Sequence, residues 1–151
     1  MAHGILGNNI LDVVAVAWFG AQSLKVLHGL ITEKKFYLRR LWETGGMPSS
    51  HSATVASLAT AIGLVYGISS GLFAISIVLG AIVMHDAVGI RRAAGKQAGV
   101  INRMVVLLNK SFQEGFDQKE LKELLGHKPL EVLAGAVLGI VITLLLRHHL
   151  I

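Results

Sequence analysis

Four apolar stretches constrain the fold of this chain more than any other feature. They run over residues 10–31, 50–66, 70–86 and 129–146. A helix rises about 1.5 Å per residue, and about 20 apolar residues cross the hydrocarbon core of a bilayer. We therefore predict about four transmembrane helices in a single membrane domain, residues 1–151, which makes the chain an all-α integral-membrane helical bundle.

The composition supports a membrane protein and excludes several kinds of site. Of the 151 residues, 53% are hydrophobic and only 15% are charged, whereas soluble domains carry roughly 25% charged residues. The chain has no cysteine, which excludes disulfides, thiolate metal sites and a cysteine nucleophile. The net charge of +5 is first interpreted against the membrane, so we expect no nucleic-acid partner.

A more polar segment, residues 92–126, separates the third and fourth stretches. Within it Ile101, Met104 and Leu108 recur at helical spacing, and the basic residues fall elsewhere on the helical wheel. This pattern predicts an amphipathic helix lying in the membrane interface. A short charged helix is expected to follow over about residues 118–125.

The basic residues predict the orientation. The loop over residues 32–50 holds four of them, the segment over residues 91–128 holds eight, and the tight hairpin at residues 67–71 holds none. By the positive-inside rule both basic segments face the cytoplasm and both termini face outward, in a bacterial inner membrane or its equivalent. Lys25 and Arg147 lie near membrane ends, where long side chains are expected to snorkel.

The predicted topology brings the unusual polar residues of the chain to one membrane boundary. Ionisable groups at that depth are costly unless paired, so a cluster of them marks a candidate functional site. Its members, at the ends of the predicted helices, are His51, Asp86, Arg91, Arg92, His127 and Glu131. Because Asp12 and Lys25 lie near the ends of the first stretch, no charge lies deep in a span, which disfavours a small transporter or channel.

The segment that leads into the second helix has the composition of an anion site. Gly45 and Gly46 allow close backbone approach, and Ser49, Ser50 and His51 follow at a helix N-terminus, where unpaired N–H groups attract anions. The ordinary alternative, with about equal weight, is an N-cap beside a helix-opening proline.

His127 and Glu131 lie four residues apart at the start of the fourth helix, so they share a face. A carboxylate that bonds one imidazole nitrogen orients the ring and makes the other nitrogen a better nucleophile. A purely structural pair would look the same, and taken alone this spacing favours the structural pair.

Two further patterns leave alternatives open. Asp86 with Arg91 and Arg92 indicates either a helix-end ion pair or a bidentate phosphate clamp in which Asp86 holds an arginine in place. Gly135 and Gly139 form a GxxxG motif, which allows close helix packing inside the bundle or between subunits and is compatible with a homodimer.

Three segments together, residues 45–53, 86–97 and 126–132, closely resemble the divergent PAP2 family, and the likeness covers about residues 9–146. That family is described as related to acid phosphatases and vanadium-dependent haloperoxidases. PAP2 enzymes proper are helical phosphatases that often act on lipid phosphates. They carry a K-x6-R-P motif, a P-S-G-H motif whose histidine is the general acid, and an S-R-x5-H-x3-D motif whose histidine is the nucleophile.

The resemblance implies that His127 is the nucleophile, oriented by Glu131, and that His51 is the general acid. Further positions of the three segments are expected to bind the phosphate: Arg91, Arg92, Ser49, Ser50, Gly45, Gly46, Asp86 and Lys96. No metal and no cofactor are expected.

This sequence departs from the PAP2 motifs at several positions. Ser50 replaces a glycine, Glu131 replaces an aspartate, and Glu120-Leu121 stands where Ser-Arg precedes the nucleophile. The K-x6-R-P motif has no counterpart near Lys34 or Lys35, so Arg91 or Arg92 is expected to supply the missing phosphate-binding arginine.

Two functions are therefore expected. The first is hydrolysis of a lipid phosphate monoester or pyrophosphate at the cytoplasmic face, through a phosphohistidine, which makes membrane lipids the partner and a lipid phosphate the substrate. The second is a non-catalytic PAP2-like protein that binds anionic lipid headgroups or scaffolds a partner.

Overall fold

A computed structural model describes the chain over residues 4–33, 46–112 and 128–150, leaving aside the side chains at 32–33, 90–94 and 109–112. The described residues form five α-helices and one 3-10 turn, and no strand occurs among them. The elements are α1 Asn9–Glu33, α2 Ser50–Tyr66, α3 Gly71–Val88, α4 Ile90–Phe112, α5 Pro129–Leu145 and the turn Arg147–His149. The all-α prediction is confirmed.

Local sequence signals explain where the helices begin. The Asn8 side-chain oxygen accepts hydrogen bonds from the N–H groups of Ile10, at 2.9 Å, and Leu11, at 3.3 Å, so Asn8 is the N-cap of α1. Ser70 caps α3 by accepting from the N–H of Phe73 at 3.2 Å. Gly67 has a φ of 83°, which lets the chain turn tightly between α2 and α3.

Helix α2 lies at the centre of the bundle and packs parallel to α5 along a seam of small residues. A Cβ atom at Gly135 would overlap the carbonyl oxygen of Ser49, and one at Gly139 would overlap that of Ala53. One turn further, the hydroxyls of Ser57 and Thr143 are 2.8 Å apart. The close approach predicted from the GxxxG motif therefore occurs inside one chain.

The other two neighbours of α2 run antiparallel to it. Val13 of α1 meets Ala61 and Leu150 in a small apolar cluster at one end of the bundle, and Lys25 of α1 reaches Ser50 at the other. We call this second end, defined by Lys25, Ser50 and Glu131, the polar end.

The contacts of α3 with α2 fix the level of Asp86. Val55 lies against Gly80, at 3.8 Å from a Cβ placed there, and Gly63 lies against the ring of Phe73. The same register continued along the antiparallel pair brings Asp86, in the last turn of α3, to the level of Ser50.

The outer surface of the bundle is apolar. Residues Asn9–Ile31 and Gly71–Val88 have the length and hydropathy of membrane spans, and Pro129–Leu145 is apolar but shorter. Large apolar side chains are exposed on these helices, among them Phe19, Leu27, Ile75, Ile82, Leu133 and Leu145. Such a surface fits lipid rather than water. Spans by α2 and α5, each 17 residues long, stay a prediction.

Helix α4 is the predicted amphipathic helix, and it begins at Ile90 rather than at residue 92. It follows α3 after Gly89, whose N–H donates to the carbonyl of His85 at 2.9 Å. Val100 and Met104 are exposed on its apolar face. The charged helix predicted at 118–125 lies outside the described residues.

Candidate functional site

Ser49 performs the structural role that the sequence left open. It is fully buried and is the N-cap of α2, because its hydroxyl accepts from the N–H of Ser52 at 3.4 Å and from the Ser52 hydroxyl at 3.1 Å. Its own N–H donates to the carbonyl of Glu131 at 3.0 Å. Ser49 thus joins the start of α2 to the start of α5.

Lys25 is the most unusual residue of the polar end. Its side chain is only 5% exposed, and its ammonium donates to the Ser50 hydroxyl at 3.2 Å. Ala17 and Ala21, each four residues from the next, are fully buried on the same face of α1, and they let that face approach α2 closely. The expectation that Lys25 snorkels to the interface is therefore wrong.

Glu131 accepts a hydrogen bond that caps α5. Its carboxylate takes the N–H of Lys128 at 3.1 Å, which satisfies one of the otherwise unpaired N–H groups at the helix start. The same carboxylate attracts the Lys25 ammonium electrostatically. Its predicted partner His127 lies outside the described residues, so the orienting role of Glu131 toward that histidine stays a prediction.

The other predicted site residues fall into three groups. His51, in the first turn of α2, and Asp86 are partly buried at the same end of the bundle. Gly46, with a φ of 84°, and Lys96 are exposed. Arg91 and Arg92 lie in the first turn of α4, where the structure describes only the backbone, and Gly45 is outside the described residues. Their phosphate-binding roles stay predictions.

Sequence reasoning missed two residues of this end. Lys25 was assigned to the interface, although its spacing from Ala17 and Ala21 places all three on one helical face. His85 also lies at this end; it precedes Asp86 in the last turn of α3, and its side chain is exposed. Only the packing of α1 on α2 brings the Lys25 side chain to Ser50.

Comparison with known proteins identifies the family. The sequence model that describes the divergent PAP2 family matches residues 6–142 of this chain. The chain belongs to the divergent PAP2 family. The uncharacterized membrane protein YuiD of Bacillus subtilis (strain 168) is 45% identical over 137 residues, which cover 85% of this chain and 87% of that protein. No solved structure matches.

Family membership confirms the resemblance drawn from the three segments, and it agrees with the apolar exterior. The protein is a PAP2-like membrane protein. Two residues of the P-S-S-H segment make hydrogen bonds inside the bundle. Ser49 caps α2, and Ser50 accepts a hydrogen bond from Lys25.

The electrostatics of the polar end favour a bound anion. Both α2 and α5 begin there, and each helix N-terminus carries a partial positive charge of about half a unit. The Lys25 ammonium adds a full positive charge close to the start of α2. Glu131 offsets part of this charge. The arrangement can therefore bind a compact oxyanion through an ammonium, a hydroxyl and helix dipoles.

Proposed function

We propose that this divergent PAP2 protein is a membrane-embedded phosphatase that binds the phosphate group of a lipid at its polar end. The observation that supports the proposal most is the buried Lys25 ammonium held at 3.2 Å from the hydroxyl of Ser50, within the P-S-S-H segment. A buried cation is costly unless it is paired, and this one sits beside helix N-termini that repel it. A phosphate at that position is stabilised by all of these groups together.

The proposed chemistry uses two histidines. An imidazole nitrogen of His127 attacks phosphorus, the bond from phosphorus to the lipid oxygen breaks, and His51 donates its proton to that oxygen. Water then attacks the phosphohistidine, neutral His51 takes the proton from this water, and phosphate leaves while His127 is restored. Glu131 holds His127 in the reactive orientation, in addition to its capping bond.

Charge on the transferred group is stabilised by donors aimed at its oxygens, which is commonly the largest contribution to catalysis. Lys25 and Ser50 supply two of these donors in the proposal. Arg91, Arg92 and Lys96, at the start of α4, supply the charge that the PAP2 arginine motifs give elsewhere, and the backbone amides of Gly45 and Gly46 complete the set.

The proposed site faces the cytoplasm, because the basic segments at 32–50 and 91–128 flank it. From that side it meets inner-leaflet lipids such as phosphatidate or phosphatidylglycerophosphate. Lipid carriers with outward-facing phosphates are out of its reach.

The test is phosphate release from these lipids by the purified protein in lipid nanodiscs, with vanadate as inhibitor. Wild type is expected to turn over, whereas His127→Ala and Lys25→Met lose activity. Arg147→Met is the matched control, because it removes an exposed cation beyond the C-terminus of α5, at the opposite end of the bundle. If wild type and His127→Ala release phosphate at the same slow rate, the catalytic proposal fails.

A second function, binding of anionic headgroups without turnover, has its own support. The Glu131 carboxylate already accepts the N–H of Lys128, and the Ser49 hydroxyl caps α2, so two motif residues have structural uses that need no catalysis. This function predicts a rise in melting temperature with phosphatidate but no phosphate release. A phosphoenzyme trapped from radiolabelled lipid phosphate would exclude it.

A further inference from the structure

An apolar cleft of about 370 Å³ lies between the second half of α1 and the first half of α5. Met47 and Pro48, which lead into α2, also line it. Its walls are formed chiefly by Leu24, Leu27, Ile31, Ala134 and Leu138, with His28 as a polar lining residue. Its size falls at the lower end of the range of about 300–1,000 Å³ that is typical of small-molecule sites.

The surroundings of the cleft determine what can fill it. Leu24 and Ile31 belong to Asn9–Ile31, a segment with the length and hydropathy of a membrane span, so the cleft opens toward hydrocarbon. Water entering it would find few of the two to four polar partners that a buried water needs. An empty space of this size would forfeit the contacts of the side chains around it. A hydrocarbon chain needs no polar partner, and it supplies the contacts that an empty cleft would lack.

The cleft adjoins the polar end through three of its lining residues. Pro48 directly precedes Ser49, and Leu24 directly precedes Lys25. Ala134 lies one turn beyond Glu131 on α5, so the two share a helical face. A molecule that occupies both places must join a compact anion to an apolar tail.

We infer that the cleft holds one hydrocarbon chain of the lipid whose phosphate binds at Lys25 and Ser50; the headgroup part of this inference rests on the proposed function. The chain passes from one hydrocarbon environment to another, so it gains little from the hydrophobic effect. Its contribution is positional, because a chain seated between α1 and α5 fixes the depth and direction of the headgroup.

The experiment uses the full chain in phosphatidylcholine nanodiscs that contain phosphatidate with a photoreactive diazirine on one acyl chain. Crosslinked peptides are mapped by mass spectrometry. Crosslinks are expected to concentrate in residues 24–31 and 134–138. Crosslinks spread evenly over the lipid-exposed surface, including residues 72–82 of α3, would overturn the inference.

A variant that fills the cleft tests occupancy directly. Ala134→Phe is expected to reduce crosslinking in the cleft by about tenfold, because added bulk in a filled site is costly. Ala74→Phe is the matched control, since Ala74 is exposed on α3, and crosslinking should not change. Equal crosslinking in wild type and Ala134→Phe would contradict the inference.

A second variant keeps the test decisive if Ala134→Phe does not fold. Leu138→Ala enlarges the cleft, so crosslinking by a methyl-branched chain should rise about tenfold relative to a straight chain. Leu133→Ala, at a position 61% exposed on the same helix, should leave that ratio unchanged. An identical ratio in wild type and Leu138→Ala would overturn the inference.

Failure of this inference can be told apart from failure of the proposed function. Crosslinks in the cleft without any phosphate release support the chain site and refute the phosphatase. If phosphate release depends on His127 but crosslinking in the cleft is the same in wild type and Ala134→Phe, only the chain site is refuted. Diacylglycerol with the same photoreactive chain should label the cleft less than phosphatidate, and equal labelling would contradict the link to the polar end.

Discussion

Replacing Lys25 by methionine separates function from stability more sharply than any other change in this protein. Lys25 is buried, with 5% of its surface exposed, and its ammonium donates a hydrogen bond to Ser50 at 3.2 Å. Methionine has a similar unbranched shape and can fill the same space without a charge. We therefore expect Lys25→Met to weaken lipid phosphate binding while the fold remains.

The magnitude follows from Coulomb's law. Two unit charges about 4 Å apart attract by about 4 kcal/mol at an effective dielectric constant of about 20, which corresponds to roughly a thousandfold in affinity. Because Glu131 already attracts Lys25, its negative charge partly neutralises the positive charge that a phosphate would meet. We expect a loss of about one hundredfold to one thousandfold in affinity for phosphatidate.

Stability should change little. Lys25→Met removes the cost of burying an ammonium, but it also removes the cation that attracts Glu131. Because Glu131 is only partly buried and keeps its hydrogen bond from the N–H of Lys128, the two effects should nearly cancel. The assay is the melting temperature of purified Lys25→Met and wild type in nanodiscs, with and without phosphatidate. Unchanged affinity for phosphatidate combined with a lower melting temperature would refute the reasoning, since Lys25 would then serve only the packing of α1 on α2.

Three further predictions concern packing, capping and topology. Gly139→Leu should lower the free energy of unfolding by about 3 kcal/mol or more, because a Cβ at residue 139 would overlap the Ala53 carbonyl. Gly71 has open space around it, so Gly71→Leu should change the free energy of unfolding little in the same denaturation assay. Ser49→Ala should cost about 1 kcal/mol through the lost N-cap of α2, and a loss within error would contradict the capping role. Because the chain has no cysteine, single cysteines report the proposed orientation: an impermeant maleimide should label His148→Cys in intact cells and Lys96→Cys only after permeabilisation, and the reverse pattern would place the polar end outside.

Much of the helix layout could be predicted from the sequence because it depends on local chemistry. Asn8 and Ser70 cap helices through their own side chains, and the turn at Gly67 needs only a residue that tolerates positive φ. The GxxxG motif indicated a close approach, but the sequence could not say whether its partner was α2 or a second copy. That choice depends on matching small residues, Ser49 and Ala53, which lie far away along the chain.

The candidate site was harder to predict because burial depends on which helix faces meet. Near the end of a span a lysine can reach water or turn inward, and only the packing of Ala17 and Ala21 against α2 turns Lys25 toward Ser50. The P-S-S-H segment was found correctly as a special helix start. Its two serines, however, combine structural and electrostatic roles that the motif alone does not distinguish.

The most direct test of the phosphate site is an experimental structure of the protein with orthovanadate, an oxyanion that resembles the transferred phosphoryl group. We predict one vanadate at the polar end, with an oxygen within about 3 Å of the Lys25 ammonium and with the imidazoles of His51 and His127 on opposite sides of the anion. Vanadate bound elsewhere, or His51 and His127 on opposite faces of the membrane, would contradict the proposed site.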